Sequence, residues 1–289
     1  MRRLLILSGK GGTGKTTTAA AFIRFSDAKA VADCDVDAPN LHLINARTEE
    51  PEISEFFGGD KASIDPKLCI GCGICTSYCR FDALKESDGI YQVNEYACEG
   101  CGVCAAVCPQ KAVTLKVDAA GRKELYRKDG VFSTASLKMG RGNSGKLVTD
   151  VKMVMLKNAP ETDLAIIDGS PGIGCPVIAS VSGMNLVLMV AEPSVSGISD
   201  LKRLLKTTEV FQTPVAVCVN KYDTAPEKAE EIKRFCQDNG ISFAGFLPYD
   251  KTASKMINAG KSIADAECPL RDALWDVYQK VMELLDKNS

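Results

Sequence analysis

Eight of the chain's thirteen cysteines fall within forty residues, as Cys69-x2-Cys72-x2-Cys75-x3-Cys79 and Cys98-x2-Cys101-x2-Cys104-x3-Cys108-Pro109. The second run repeats the first at an offset of 29, and Gly71, Gly73 and Ala83 recur as Gly100, Gly102 and Ala112, so the segment is an internal duplication. Three thiolates spaced three residues apart wrap one tight loop around one face of an iron-sulfur cubane, and a fourth ligand must come from elsewhere. Structural zinc sites usually offer two separated Cys-x2-Cys pairs, so two runs of four favour iron and sulfide over zinc. A second chemistry stands near residue 10. There Gly9-Lys10-Gly11-Gly12-Thr13-Gly14-Lys15-Thr16 follows the apolar run Leu4 to Leu7 and fits G-x-x-x-x-G-K-[ST] at every fixed position. In such a loop, backbone N–H groups of Gly11, Gly12, Thr13 and Gly14 curl around the β-phosphate. The helix beginning near Lys15 turns its positive end to the anion, Lys15 adds a point charge, and Thr16, beside Thr17, is placed to bind Mg²⁺.

Two further apolar runs end in carboxylates, where phosphate chemistry belongs in an open α/β sheet. One is Ala30-Val31-Ala32-Asp33-Cys34-Asp35-Val36-Asp37; the other is Leu164-Ala165-Ile166-Ile167-Asp168-Gly169-Ser170-Pro171-Gly172. Asn220-Lys221-Tyr222-Asp223 follows the strand pattern Val215 to Val219. Its N-K-x-D spelling leaves adenine and guanine both open, with Asp223 as the acceptor that would select guanine. His42 is the sole histidine, so a histidine-based triad or metalloenzyme has no raw material.

With Lys10 added, the loop reads K-G-G-x-G-K-[ST] and resembles the deviant phosphate loop of the MinD, ParA and nitrogenase iron-protein group. That resemblance implies ATP as Mg-ATP and a homodimer across the nucleotide, with Lys10 reaching the partner's phosphates. It also implies that Asp35 in switch I orients the attacking water, that Asp168 holds Mg²⁺ through water as the Walker B residue before switch II, and that Asn220 and Pro248 border the base. The catalytic set is then Lys10, Lys15, Asp35 and Asp168. The cysteine segment resembles the two-cluster bacterial ferredoxins, in which the fourth thiolate comes from the other half. Carried over, Cys69, Cys72, Cys75 and Cys108 hold one [4Fe-4S] cluster, and Cys98, Cys101, Cys104 and Cys79 hold the other. Arg80, where the second half has Pro109, departs from that pattern. Cys175, seven residues after Asp168, lies near where the nitrogenase iron protein holds its shared cluster; it reads instead as a buried, inert thiol. Cys34, Cys218, Cys236 and Cys268 read as packing.

The elements that must position these groups follow a βα rhythm. Apolar strands at Leu4, Ala30, Leu164, Leu186, Val215 and Phe243 alternate with helical patterns near Lys15, Ser196, Pro226 and Pro269, which predicts a doubly wound, mostly parallel α/β sheet. A small α+β ferredoxin-like domain at 59–116 would interrupt it, leaving 1–58 and 117–289 as the two parts of the ATPase domain, with Pro51 to Gly59 and Val117 to Gly121 as linkers. Residues 122–146 carry no nameable motif, though Ser144-Gly145-Lys146 resembles a segment of this subfamily. The last helix spaces Leu270, Leu274, Val277, Tyr278, Val281 and Leu285 on one face and mixes charges on the other, so it reads as a docked helix and no stable membrane anchor is expected.

The 289 residues carry 35 basic and 37 acidic side chains, a balance that gives no nucleic-acid-binding polycation. Thirteen cysteines without an export signal imply reduced thiols and a cytoplasmic location. The whole points to an iron-sulfur P-loop ATPase coupling ATP hydrolysis to electron transfer. The alternatives are an ATP-dependent iron-sulfur cluster carrier or maturation factor, or a MinD-like positioning ATPase with a redox-sensing ferredoxin domain. If the modules bind independently, Lys15→Ala abolishes nucleotide binding yet leaves about eight iron per chain, measured by equilibrium binding and iron assay on anaerobic protein.

Overall fold

The computed structural model describes residues 1–44 and 49–288. In chain order the elements begin with β1 (Arg2–Leu7), α1 (Lys15–Ser26), β2 (Ala30–Asp33), α2 (Leu41–Ile44), β3 (Glu52–Ile64), α3 (Ile74–Tyr78) and β4 (Leu84–Ser87). There follow β5 (Ile90–Val93), α4 (Val103–Val107), β6 (Val113–Tyr126), β7 (Val131–Leu137), α5 (Ser144–Asn158), β8 (Leu164–Asp168) and α6 (Cys175–Val181). The chain closes with β9 (Leu186–Ala191), α7 (Val195–Glu209), β10 (Val215–Asn220), α8 (Pro226–Asp238), β11 (Ser242–Leu247), α9 (Lys251–Asn258) and α10 (Pro269–Lys287). Contacts divide the chain into two compact units, Met1–Ile53 with Lys123–Ser136 and Gly145–Ser289, and Ser54–Arg122 with Leu137–Ser144.

The first unit is built on a sheet in the order β11-β10-β9-β1-β8-β2-β7. The ladders joining β11 through β7 are all parallel. Strands covered on both faces read as unbroken apolar runs, and β1, β8 and β9 do. Leu4 and Ile6 of β1 pack with Phe22 of α1 and Leu274, Val277 and Val281 of α10. Leu5 and Leu7, fully buried between them in sequence, turn to the opposite face by the two-residue alternation of a strand. The α10 stripe predicted from its spacing is buried on that core, which makes the helix a packed layer. Among the described residues no helix is long and apolar enough to cross a membrane.

Two expectations need correction. Pro51 to Gly59 is not irregular chain, because Glu52–Ile64 is one continuous strand, and Val117 to Gly121 lies inside β6. The glycine and charge content of these stretches masked their alternating pattern: in β3, Phe56, Gly58 and Ala62 point inward among exposed neighbours.

In the second unit the duplicated segments form matching turns and one-turn helices, α3 and α4, each preceded by a left-handed glycine, Gly73 or Gly102. Its buried apolar centre is small: Ala62, Ala83, Cys98 and Val113, bordered by Cys79, Cys104 and Cys108. Gly71 and Gly100, at φ of 67° and 65°, stand where a side chain would run into the carbonyls of Gly89 and Asp60 respectively. Gly100→Ala therefore combines left-handed strain with a backbone clash and should destabilise the second unit by about 1–3 kcal/mol, read as a lower urea midpoint for that unit.

Candidate functional site

The left-handed turn at Gly14 (φ 94°) ends the phosphate loop and starts α1 with no side-chain cap, which leaves its first N–H groups to face an anion. A side chain at Gly14 would strike the Asn220 amide, so the loop and the end of β10 fit only with glycine there. Around this turn lies a cleft of about 1060 Å³. Gly11, Gly12, Gly14, Lys15, Thr16 and Thr17 line it together with Asp35, Asn220 and Pro248. Lys10 and Thr13 fall outside that lining, beside Glu192 on the neighbouring surface.

At the carboxyl ends of β2 and β8, three acids surround one cation. The Lys15 ammonium is 2.7 Å from Asp168 Oδ1 and 3.8 Å from Asp35 Oδ2. Burial works to lower the Lys15 pKa, but Asp168, with Asp33 and Asp35, more than offsets it, and the net movement is upward. Asp33 is wholly buried and works through backbone: Oδ1 accepts the Asp35 N–H at 3.0 Å, and Oδ2 accepts those of Asn40 and Leu41 at 3.1 and 3.0 Å. Burial first, then the neighbouring Asp168, push the Asp33 carboxyl up to about 7. Burial likewise lifts Asp35, opposed by Lys15. Asp168 Oδ2 is buried and has no hydrogen-bond partner. An orphaned carboxylate oxygen in the same site as the Thr16 hydroxyl is a donor set suited to a hydrated divalent cation.

A strand-end Asp33-x-Asp35 signals carboxylates, but only the fold shows that Asp33 ties the Asp35 turn to α2. Glu192, absent from the sequence-based set, receives Lys10 at 2.7 Å and Lys221 at 3.0 Å. Those bonds to Lys10 and Lys221 hold its pKa below the usual carboxylate range. Asn220 Nδ2 donates to the Thr13 carbonyl at 2.7 Å, and Lys221 Nζ to that of Gly12 at 3.2 Å.

The family of the CobQ/CobB/MinD/ParA nucleotide binding domain matches residues 4–263. The chain belongs to that family. An uncharacterized protein of Methanocaldococcus jannaschii is 30% identical over 292 residues, covering 98% of this chain and 97% of its own. An iron-sulfur cluster carrier protein of Pyrococcus abyssi is 22% identical over 303 residues, covering 98% of this chain and 86% of its own. Among solved structures, the septum site-determining protein MinD of Pyrococcus horikoshii, complexed with Mg-ADP, superposes with a TM-score of 0.58 at 15% identity, over 100% of this chain and 98% of the other. The mostly parallel α/β sheet is thus of MinD type.

Within this CobQ/CobB/MinD/ParA chain the eight clustered cysteines gather into two sets. Cys69, Cys72 and Cys75 share a cavity with Cys108, and Cys98, Cys101 and Cys104 share one with Cys79. Each has a volume of about 20 Å³. All thirteen cysteines are free thiols. Backbone N–H groups approach the sulfurs: Ala62 and Gly100 reach Cys98 Sγ at 3.4 Å, and Ala112 reaches Cys108 Sγ at 3.3 Å. Burial raises the Cys75 and Cys104 thiols. Among the described residues no three His, Cys, Asp or Glu side chains converge on a single-ion site. Cys175 is exposed at the start of α6, so the expectation of a buried thiol is corrected: the short helix presents its first residue outward. Cys34, Cys218 and Cys236 are buried as expected, and Cys268 is half-buried.

The Asp223 carboxylate accepts the Tyr249 N–H at 2.8 Å, next to Pro248. One oxygen of this carboxylate thus holds the base-side loop in place. Asp223→Ala should therefore weaken ATP binding by about 1 kcal/mol, as expected for one lost hydrogen bond, and raise the Kd for GTP no less, both read by calorimetry.

Proposed function

We propose that this chain is an ATP-hydrolysing switch carrying two [4Fe-4S] clusters, in which the nucleotide state of a homodimer governs electron transfer through the clusters. The observation that carries the reading is the pairing of thiols in space. Each cavity takes three cysteines from one repeat and the last cysteine of the other, as the crossed ligation of a cluster would need. Four thiols around one cavity, three of them from a single Cys-x2-Cys-x2-Cys run, suit a polynuclear cluster better than a zinc ion. The meagre apolar centre of the second unit supports the same assignment, because a unit of under eighty residues needs a staple beyond so few buried side chains.

When bound, each cluster supplies a one-electron redox centre. The chain's own part is to hold it with four thiolates, to direct N–H groups at Cys98 and Cys108, and to keep Cys75 and Cys98 from water. On the nucleotide side, Thr16 and Asp168 would hold Mg²⁺, which neutralises phosphate charge. A phosphate entering the loop competes with Asp168 for the Lys15 ammonium, so nucleotide binding and the carboxylate cluster are linked through one cation. Asp35 at the cleft would orient the attacking water, Asn220 and Pro248 would border the adenine, and Lys10, released from Glu192, would reach the partner's phosphates.

The carrier reading has the name of the Pyrococcus abyssi relative in its favour. It predicts clusters that leave, and complete four-thiol sets suit resident clusters better. Anaerobically purified protein should hold about eight iron per chain, and addition of Mg-ATP should shift the midpoint potential or EPR signal of the reduced clusters. Iron that transfers to an apo-ferredoxin on ATP addition would support the carrier reading in its place.

A further inference from the structure

Helix α5 buries Leu147, Val148, Val151 and Met155, and Lys152 is buried with them. A lysine only 5% exposed among apolar neighbours is costly unless its charge is met. Among the described residues no carboxylate pairs with it. Its ammonium donates instead to the carbonyls of Ala179, Ser180 and Ser182, at 2.5, 2.9 and 2.7 Å. Burial pulls the Lys152 pKa down to about 8, which reflects the cost of keeping a cation there. Ala179 and Ser180 belong to the last turn of α6, and Ser182 follows it. One lysine therefore satisfies three carbonyls that the helix end leaves without helical partners.

The helix held in this way continues the loop after Asp168, and the start of that loop is tied to β1 and the phosphate loop. The Gly169 N–H donates to the Ile6 carbonyl at 2.9 Å, and the Gly172 N–H to the Ser8 carbonyl at 3.0 Å. The Ser170 hydroxyl donates to the Cys34 carbonyl. Ser170, Pro171 and Pro176 line the nucleotide cleft. Between them Gly172 is left-handed at φ 94° in open space, and Ile173, Gly174 and Cys175 are exposed. A segment bordering the cleft thus has a tied start, an unsupported middle and a far end anchored by Lys152. Val177 and Val181 also bury α6, but apolar contact is non-directional and lets a seven-residue helix slide, whereas three hydrogen bonds from one ammonium set its place.

We infer that Lys152 is a positioning residue for ATP hydrolysis: it makes the carboxyl end of α6 a fixed pivot, so that a change at the nucleotide shifts Gly172 to Pro176 and leaves residues 179–182 in place. The inference rests on the ATPase reading and adds to it a residue outside the cleft. Lys152 does not line the cleft, so its loss acts through where the loop and Pro176 come to rest and removes no ligand of the nucleotide. Misplacement by about 1 Å near a reacting centre costs on the order of 10²-fold in rate.

Hydrolysis kinetics and hydrogen–deuterium exchange on the anaerobic holoprotein test the pivot. In the unmodified protein Mg-ATP should change exchange in residues 172–175 and leave 179–182 unchanged. In Lys152→Met the response should spread into 179–182 and kcat should fall by about tenfold or more. Affinity for Mg-ADP, read by calorimetry, should stay within about twofold. Lys152→Gln keeps two N–H donors, so it should retain more of kcat than Lys152→Met, and it carries the test if Lys152→Met fails to fold. A kcat unchanged in the folded variants, or a kcat that falls only in step with nucleotide affinity, overturns the pivot and leaves the ATPase reading standing. So does an exchange response in the unmodified protein that is as large at 179–182 as at 172–175. Absence of hydrolysis in the unmodified protein overturns the ATPase reading, and the pivot with it.

Discussion

A single buried ammonium holds together the most costly part of this structure. Three carboxylates, Asp33, Asp35 and Asp168, approach one another at the ends of β2 and β8, and in a medium of low polarity their mutual repulsion and desolvation are affordable only with Lys15 among them. The ledger extends to the backbone. Asp33 fixes the turn through Asp35 and the start of α2, and the Cys34 N–H bonds the Asp168 carbonyl at 2.7 Å, so the turns after β2 and β8 are locked to each other. The same lysine is the cation a phosphate would seek. Any nucleotide that draws it away unbalances the acids, which is a physical reason for the loops after β2 and β8 to respond to what the cleft holds. It also means that Lys15→Ala removes more than an anion ligand, since it leaves buried carboxylates without a counter-charge.

Much of this could be read from the chain itself, because the signals were local. The phosphate loop needs glycines at fixed positions and a strand before it, and both are written in consecutive residues. The strands Leu4, Ala30, Leu164, Leu186, Val215 and Phe243 are short apolar runs, and a parallel sheet buried on both faces permits little else. What escaped was longer-ranged. β3 and β6 carry exposed charged residues along much of their length, so neither their composition nor their period distinguishes them from connecting chain. Helix α5 has its apolar residues at helical spacing from Leu147 to Met155, yet the preceding glycine-rich stretch concealed its start.

The site divides in the same way. Residue types and spacing pointed to Lys15, Asp35 and Asp168, whereas Glu192 lay hidden. An isolated glutamate after a strand is an ordinary surface residue until the fold sets it between two lysines. N-K-x-D shows the limit from the other direction. Its letters leave adenine and guanine open, and the geometry that bears on the choice is a bond from Tyr249, twenty-six residues further along the chain.

The duplicated cysteine loops make a last point about what repetition preserves. The spacing and the left-handed glycines recur, and the two thiol cavities come out nearly equal in size, because both features are set by backbone geometry. The surrounding charge does not recur. Ile70 follows Cys69, but Glu99 follows Cys98; Arg80 follows Cys79, but Pro109 follows Cys108. Cys98 receives two backbone N–H groups, and Cys108 one. A carboxylate beside a negative cluster favours its oxidised form, whereas N–H groups and cations favour the reduced form. Two clusters held in these cavities would therefore share a shape without sharing a potential, and an electron placed on the pair would have a preferred end.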